Sequence, residues 1–469
     1  MKRRAAPAAG AAANPGPFNS QWLARQLRQF VGPLAHARFC LAYSGGADST
    51  ALLAAMASLR GRLRLELRAL HVNHRLQPAA ASMARAARAS ARRLGVACRV
   101  LLAPVRSVRG ASPEAAARAA RYAALRAALR KGEWLLLAQH QEDQAETLLL
   151  QLLRGAGVAG LAAMPARSGV LLRPLLDVPR DQLRAYLRRR AVAWTDDPSN
   201  ADERFDRNYL RLRVLPLLRA RWPGLGLTLG RSAALAAEAQ GLLAETADLQ
   251  LRPAWDGAAL RVSVLRRLAA AQRRNVLRRW LELQRIPVPD QRRLQEISGP
   301  LLRARHDAQP RVHWNGGEVR RHGDRLYAAV DSALPAAPGK GHPARVAVRA
   351  WAWRRNRRLV LSDGAWLELH ADRHGGLLGS ALPDRLQVAF RSLDGRVAGL
   401  PGGRQLKRLL QSPALPPWRR GEVPLLYADG RLIAVGDYWQ APDVRAPLGA
   451  ALGGRDPRRL RLRWLAAGR

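Results

Sequence analysis

The chain has 469 residues, room for about two to four domains with ample core. Its 79 Lys and Arg against 35 Asp and Glu give a formal net charge of +44, which implies a polyanionic partner. Two cysteines, Cys40 and Cys98, exclude a disulfide framework, and no apolar run reaches membrane-spanning length. The expectation is therefore a reduced, cytoplasmic protein with no membrane contact. Lysine stands only at Lys2, Lys131, Lys340 and Lys407, so the positive charge is nearly all arginine. A coding bias explains arginine in place of lysine, but not the excess of bases over acids.

Residues 1–17 are rich in Ala, Pro and Gly and read as a disordered tail rather than a signal peptide, which needs a continuous apolar core. From residue 36 onward apolar runs alternate with helical stretches. The runs fall at 36–43, 65–74, 98–105, 134–140 and 170–175, the helices at 48–59, 80–94, 112–130 and 142–154. Ser112-Pro113-Glu114 is a helix start, and Gly155 a helix stop. This alternation at this spacing predicts an α/β domain with a parallel, doubly wound sheet, whose ligands bind beyond the carboxyl ends of the strands.

At the first such end the chain reads Ser44-Gly45-Gly46-Ala47-Asp48-Ser49. Adjacent glycines let backbone N–H groups approach an anion, and a helix start adds its positive end. Two serine hydroxyls can donate to phosphate oxygens. Asp48 suits such a site when Mg²⁺ is shared with a pyrophosphate. No Walker lysine is present. Further on, Asp143 and Glu146 lie three apart on one helix face. They read either as the ordinary acidic bias of a first helical turn or as a pair able to hold an ammonium and take its proton. His140, His71 and His74 read either as strand-end histidines satisfied by backbone or as active-site donors.

A helical region runs on to 222, with Pro216 kinking or dividing it. Within it Arg207 pairs with Glu203 at i,i+4 in the plain reading, and Asp197, Ser199 and Asn200 make a turn and helix cap. Residues 230–251 form a connecting helix. A second long helix over 264–284 sets Leu265, Leu268, Val276, Trp280 and Leu283 on one side and six arginines largely elsewhere, a face either solvated or in contact with RNA. Residues 331–344 are a linker. Beyond it, 345–358 suggests a strand packing Trp351 and Trp353 or an RNA-facing edge. Residues 423–427 and 431–435 flank Ala428-Asp429-Gly430, a hairpin signal. Lys407, a compact charge in an arginine-rich chain, suits a nucleic-acid phosphate, although chance retention explains it too.

The Ser44-to-Ser49 string between strand and helix resembles the pyrophosphate loop of the ATP-pyrophosphatase superfamily, whose members split ATP between its α and β phosphates and activate an oxygen with AMP. Residues 138–161 (AQHQEDQAETLLLQLLRGAGVAGL), RPLL from 173, WTDDPSN from 194, RNYLRLRVLP from 207 and HVNH at 71–74 then resemble the bacterial tRNA(Ile)-lysidine synthetases. The likeness covers most of 38–222, continues more loosely over 255–330 and returns at 386–440. Gln139 stands where the family often has histidine, and Arg75 where it usually has glycine.

The resemblance implies an adenine-nucleotide α-hydrolase-like catalytic domain at 18–222 and a helical connector at 223–250. It also implies a substrate-binding domain at 251–330 and, after the linker, a small α+β tRNA-binding domain at 345–469. The implied reaction adenylates the wobble cytidine of the CAU anticodon of tRNA(Ile) with ATP and Mg²⁺. L-lysine then displaces AMP at carbon 2, so the tRNA reads AUA. Ser44, Gly45, Gly46, Ala47, Asp48 and Ser49 would hold ATP, with Asp48 at Mg²⁺, and Asp143, Glu146 and His140 would serve lysine and catalysis. Arg207 and Asn208 would touch nucleotide or tRNA; Lys407 joins them on its own chemistry alone, and a homodimer is expected. Rival readings are a tRNA thiolase, which needs paired cysteines, a small-molecule amide synthetase, and an RNA-binding protein with a relict loop.

Overall fold

The computed structural model describes residues 16–73, 80–103, 113–195, 201–257, 259–305, 308, 310–330, 348–361, 366–371, 376–390, 397, 406, 408–409, 417–420, 423–436, 438–445 and 459–465. The expected tail but for its last two residues, the linker, His74, Arg75, Ser112, Asp197, Ser199, Asn200 and Lys407 lie outside them. The chain forms two compact units, Met1–Leu243 and Ala244–Arg469. No helix among the described residues is long and apolar enough to cross a membrane.

The first unit opens with α1 (Ser20–Val31), capped by Asn19, whose Oδ1 accepts from the Trp22 N–H at 2.9 Å. Strands and helices then alternate: β1 (Arg38–Ala42), α2 (Ala47–Leu63), β2 (Glu66–Asn73), α3 (Ala80–Arg93), β3 (Ala97–Leu102), α4 (Pro113–Ala127), β4 (Glu133–Leu136) and α5 (Gln141–Leu153). Lys131 and Gly132 turn the chain into β4, and Gly155, at φ +67°, follows α5 as expected. After α6 (Val158–Leu161) come β5 (Arg167–Ser168), β6 (Leu171–Leu172) and α7 (Arg180–Arg189). The sheet order is β3-β2-β1-β4-β6-β5, with every pairing parallel except β5 with β6.

Alternation along β1 builds a core on each face. Phe39 and Leu41 join α1, α2 and α7 on one side, while Cys40 meets Leu70, Leu101, Leu125 and Leu135 on the other. The order reverses between β1 and β4, and the crevice at that switch point receives the 44–49 turn and the start of α5.

The unit continues through α8 (Asp206–Tyr209), a π-helical turn (Leu210–Val214) and α9 (Leu215–Arg221). Pro216 does not divide this run. Proline lacks an N–H and crowds the carbonyl four residues back, and the wider π turn just ahead of it absorbs both effects. The connecting helix α10 (Leu225–Leu251) starts five residues earlier than expected, directly after Pro223-Gly224.

In the second unit, β7 (Leu260–Arg261), α11 (Val262–Arg267), α12 (Ala270–Leu283) and α13 (Gln291–Glu296) precede β8 (Arg311–Trp314), β9 (Gly317–His322) and β10 (Arg325–Ala329), which pair in the order β7-β10-β9-β8. The single helix expected over 264–284 is broken at Leu268, where the backbone is extended (ψ 147°). Arg273 donates to the freed Leu268 carbonyl at 3.0 Å, and Gln272 Oε1 accepts from the Ala269 N–H at 3.0 Å. The break shifts the helix phase. Leu277 and Leu281 join Val276 and Trp280 in the core, while Leu283 faces solvent. Of the six arginines, Arg279 grips Asp248 at 2.7 and 2.9 Å and Arg273 also satisfies the Ser298 carbonyl, so two of them are structural.

The rest of this unit comprises β11 (Arg349–Trp351), β12 (Arg358–Val360), β13 (Trp366–Ala371), β14 (Leu377–Leu378), β15 (Leu386–Ala389), β16 (Leu425–Ala428), β17 (Arg431–Val435), β18 (Trp439–Gln440) and β19 (Arg459–Leu465). They form two antiparallel sheets, β11-β15-β16-β17-β18 and β12-β13-β19-β14. The expected hairpin forms, with Ala428 ending β16 and Asp429 and Gly430, both at positive φ, making a two-residue turn. Trp351 and Trp353 are buried, with their indole N–H groups on the carbonyls of Asn356 and Pro383, which decides for packing against an RNA-facing edge.

Candidate active site

The 44–49 turn lies beyond the carboxyl end of β1. Gly45 has φ +90°, a conformation that side-chain-bearing residues rarely adopt, and its carbonyl accepts from the Thr195 N–H at 3.1 Å. Gly46 caps α2 without a side-chain acceptor, so the first N–H groups of the helix are left to an incoming anion. Ser44 and Ser49 meet through their hydroxyls at 2.9 Å, and Ser49 also donates to the Gly46 carbonyl. Behind them Tyr43 OH bonds Thr50 and Ser90, tying the turn to α2 and α3.

His140 stands where β4 hands over to α5, and it is almost completely buried. Its Nδ1 lies 2.9 Å from Glu142 Oε2, and its Nε2 lies 3.4 Å from Asp48 and 3.5 Å from Asp143. Burial alone would lower its pKa. The charge of Asp143 and the hydrogen bonds to Asp48 and Glu142 outweigh that and push it up to about 10. Three carboxylates around one imidazole thus favour its charged form, with Nδ1 hydrogen-bonded to Glu142 and Nε2 facing Asp48 and Asp143. His71, by contrast, places Nδ1 3.0 Å from the Tyr43 carbonyl oxygen, a backbone contact. Burial raises the Asp48 carboxyl, but the hydrogen bond and charge of His140, with Arg180 and Arg211, hold its pKa below the ordinary range. One oxygen of Asp48, Oδ1, is buried without a hydrogen-bond partner.

Asp143 and Glu146 share Arg211, which stands on the π-helical turn. Its Nε and Nη2 meet the two oxygens of Glu146 at 2.7 and 2.9 Å, and Nη2 also reaches Asp143 at 3.2 Å. The Glu146 side chain is 0% exposed, and Arg207 adds a second guanidinium at 3.7 Å. Burial pushes the Glu146 carboxyl up against the pull of Arg211. The bidentate geometry is that of a carboxylate on a guanidinium.

The expected residues on either side of the switch point thus come together, with Asp48 joined to Asp143 through His140. Arg207 does not pair with Glu203. It turns inward to Glu146 and to Thr147 Oγ1 at 3.1 Å, and Glu203 pairs with Arg213 instead. The helix that carries Arg207 leads toward α5, so the inner carboxylate wins over the exposed i,i+4 neighbour. Asn208 is buried, with Nδ2 on the Asp202 carbonyl at 2.9 Å, so it anchors this helix start. Three partners were not singled out from sequence. Arg211 is the largest omission. Glu142 holds His140 and accepts from the Arg180 backbone N–H at 3.0 Å, and Arg180 approaches Asp48 at 3.7 Å. Arg211 falls four residues after Arg207 and could have been flagged by that spacing, but in so arginine-rich a chain the signal is weak.

Comparison with known proteins shows the family. Residues 19–218 match the PP-loop domain, 260–327 the TilS substrate binding domain and 386–455 the TilS substrate C-terminal domain. The tRNA(Ile)-lysidine synthase of Alkalilimnicola ehrlichii is 42% identical over 93% of this chain and 96% of its own length. That of Methylococcus capsulatus is 40% identical over 86% and 92%, and that of Coxiella burnetii 39% over 88% and 92%. The chain belongs to the tRNA(Ile)-lysidine synthase family.

Proposed function

We propose that this chain ligates lysine to carbon 2 of the wobble cytidine in the CAU anticodon of a tRNA(Ile), using ATP and releasing AMP and diphosphate. The observation that carries the reading is the linked set Asp48–His140–Asp143–Arg211–Glu146. It brings the anion-accepting turn and a pair of cation-binding carboxylates to one crevice. Ser44, Gly45, Gly46, Ala47 and Ser49 receive the ATP phosphates through hydroxyls and backbone N–H groups. The Oδ1 of Asp48, which makes no hydrogen bond and has Arg180 3.7 Å away, suits Mg²⁺. No group of three or more acidic, His or Cys residues among the described residues could hold a metal, and Mg²⁺ characteristically takes one carboxylate and completes its shell with substrate phosphates and water. Bound there, Mg²⁺ would neutralise charge on the leaving diphosphate.

The cytidine O2 attacks the α-phosphorus of ATP, and the O2–adenylate leaves carbon 2 open to an amine. The lysine ε-ammonium binds at Asp143 and Glu146 by exchanging with the Arg211 guanidinium. It then gives a proton to a carboxylate whose basicity burial has increased, and AMP departs from carbon 2 as the carbon–nitrogen bond forms. His140, set between the two carboxylates, fixes Asp48 and Asp143 relative to each other. Arg207 stabilises Glu146, and Asn208 holds the helix that presents both arginines. Lys407 remains proposed as a tRNA phosphate contact. Cys40 is buried with its thiol pushed up to about 12, chiefly by burial, which disfavours the thiolase reading.

The test is incorporation of labelled lysine into a tRNA(Ile) transcript bearing CAU, with ATP and Mg²⁺, against Asp48→Ala, Asp143→Asn and a methionine tRNA. Labelling of the isoleucine tRNA by the unaltered protein alone supports the reading. ATP cleavage to AMP without labelling sinks it. Cytoplasmic location and a homodimer belong to the same reading, and sedimentation of the purified protein tests the second.

A further inference from the structure

The segment from Phe205 to Leu212 turns different faces to different environments. Asn208 and Leu210 are buried, while Arg207 and Arg211 reach inward to Thr147, Glu146 and Asp143. Phe205, Tyr209 and Leu212, at successive turns of the same segment, are 40%, 51% and 40% exposed. The chain has only five Phe and seven Tyr, and two of those twelve stand here in solvent, flanking the arginines that bind the catalytic carboxylates. A single exposed apolar residue needs no explanation. An exposed ridge continuous with an active site marks a contact surface.

The charge around the ridge favours one kind of occupant. Residues 201–222 hold six arginines and three acids. Arg154, Arg204 and Arg213 surround the segment in exposed pairs with Asp206, Asp202 and Glu203. Pairs of this kind contribute little and exchange readily for a phosphate oxygen. Aromatic rings set among arginines suit single-stranded nucleic acid, whose bases stack on the rings while the backbone meets the guanidinium groups.

We propose that Phe205 and Tyr209 form a stacking platform for unpaired bases of the tRNA anticodon loop, positioned so that the wobble cytidine enters beside Asp143 and Glu146. This rests on the proposed tRNA substrate and adds the residues that hold its loop open. Leu212 extends the platform by apolar contact with a ribose or base edge. Stacking on rings is sequence-tolerant, so the platform supplies affinity and placement for the loop rather than discrimination between anticodons.

The experiment uses the full chain and a tRNA(Ile) transcript in which 2-aminopurine replaces the adenine next to the wobble cytidine. Its fluorescence falls when the base stacks. With the unaltered protein, binding is expected to quench the probe. Tyr209→Ala loses most of that quenching and raises the KM for tRNA about tenfold, or about 1.4 kcal/mol, while the KM for lysine holds. Tyr209→Phe keeps both properties, because the ring and not the hydroxyl stacks. Phe205→Ala provides a second, independent loss. Thermal melting of each variant checks that the fold survives. If Tyr209→Ala and Phe205→Ala both quench and bind within twofold of the unaltered protein, the platform is overturned. Fluorescence and binding need no turnover, so failure to transfer lysine would strike the reaction proposed above and leave this test standing.

Discussion

Replacing Arg211 with Met removes the guanidinium that grips both oxygens of a fully buried Glu146 and leaves only Arg207, 3.7 Å away. Breaking a buried ion pair from one side costs about 3–5 kcal/mol, and the remaining arginine places this case at the lower end, about 3 kcal/mol. For a unit of this size that corresponds to a melting midpoint roughly 6–12 °C lower. The loss depends on pH. Burial already raises the Glu146 pKa with Arg211 in place, and removal of the cation raises it further above the unfolded value. A carboxyl raised in the folded state favours folding while protonated and opposes it once ionised. The deficit of Arg211→Met therefore grows as pH climbs through the raised pKa and shrinks as pH falls toward the unfolded one. Thermal melts at pH 8 and pH 5.5 read this directly. The double variant Glu146→Gln/Arg211→Met, which buries no charge, recovers most of the stability. Equal losses at both pH values, or a double variant as unstable as the single, would refute the electrostatic account.

Three further outcomes are expected. Gly45→Ala forces a side chain onto a backbone at φ +90°, and the strain should raise the KM for ATP roughly tenfold or more; an unchanged KM in steady-state assays would show that the turn need not keep this conformation. His140→Gln removes a cation that holds the Asp48 pKa down, so the acid limb of the kcat/KM profile should move to higher pH, with activity at pH 6 falling more than at pH 8. An acid limb that stays in place would separate Asp48 from the rate. Cys40, with its pKa raised to about 12, should remain unalkylated by iodoacetamide at pH 8 until the protein unfolds, and mass spectrometry showing earlier modification would contradict its burial.

Local signals survive well in this sequence where one residue pattern carries one physical demand. The strand, double glycine and helix at 39–59 could form little else, and alternation of apolar runs with helical stretches was enough to predict the parallel sheet. Asp143 and Glu146 were legible as a pair because helix spacing fixes them on one face. What closes the pair was not legible. Arg211 reaches it from a segment 65 residues away in sequence from Glu146, and nothing local distinguishes that arginine from its neighbours. The plain reading of Arg207 pairs it with Glu203 because i,i+4 geometry is visible in one dimension, whereas the buried competitor is visible only in three. The break at Leu268 was hidden for a related reason. No proline or glycine announces it, and it persists because Arg273 and Gln272 satisfy the exposed backbone groups.

Among the described residues, every basic group within reach of the carboxylates is an arginine or His140. Among the described residues of the first unit, lysine occurs only as Lys131, in the turn before β4 and so at the opposite end of that strand from His140. Guanidinium groups keep their proton at any physiological pH and do not act as nucleophiles. An adenylated base held in this crevice therefore meets positive charge on several sides but no competing lysine amine from the described residues of the first unit. Walls built from guanidinium groups bind the polyanionic substrates without offering an amine of their own, and the amine that reacts is the one the crevice has admitted.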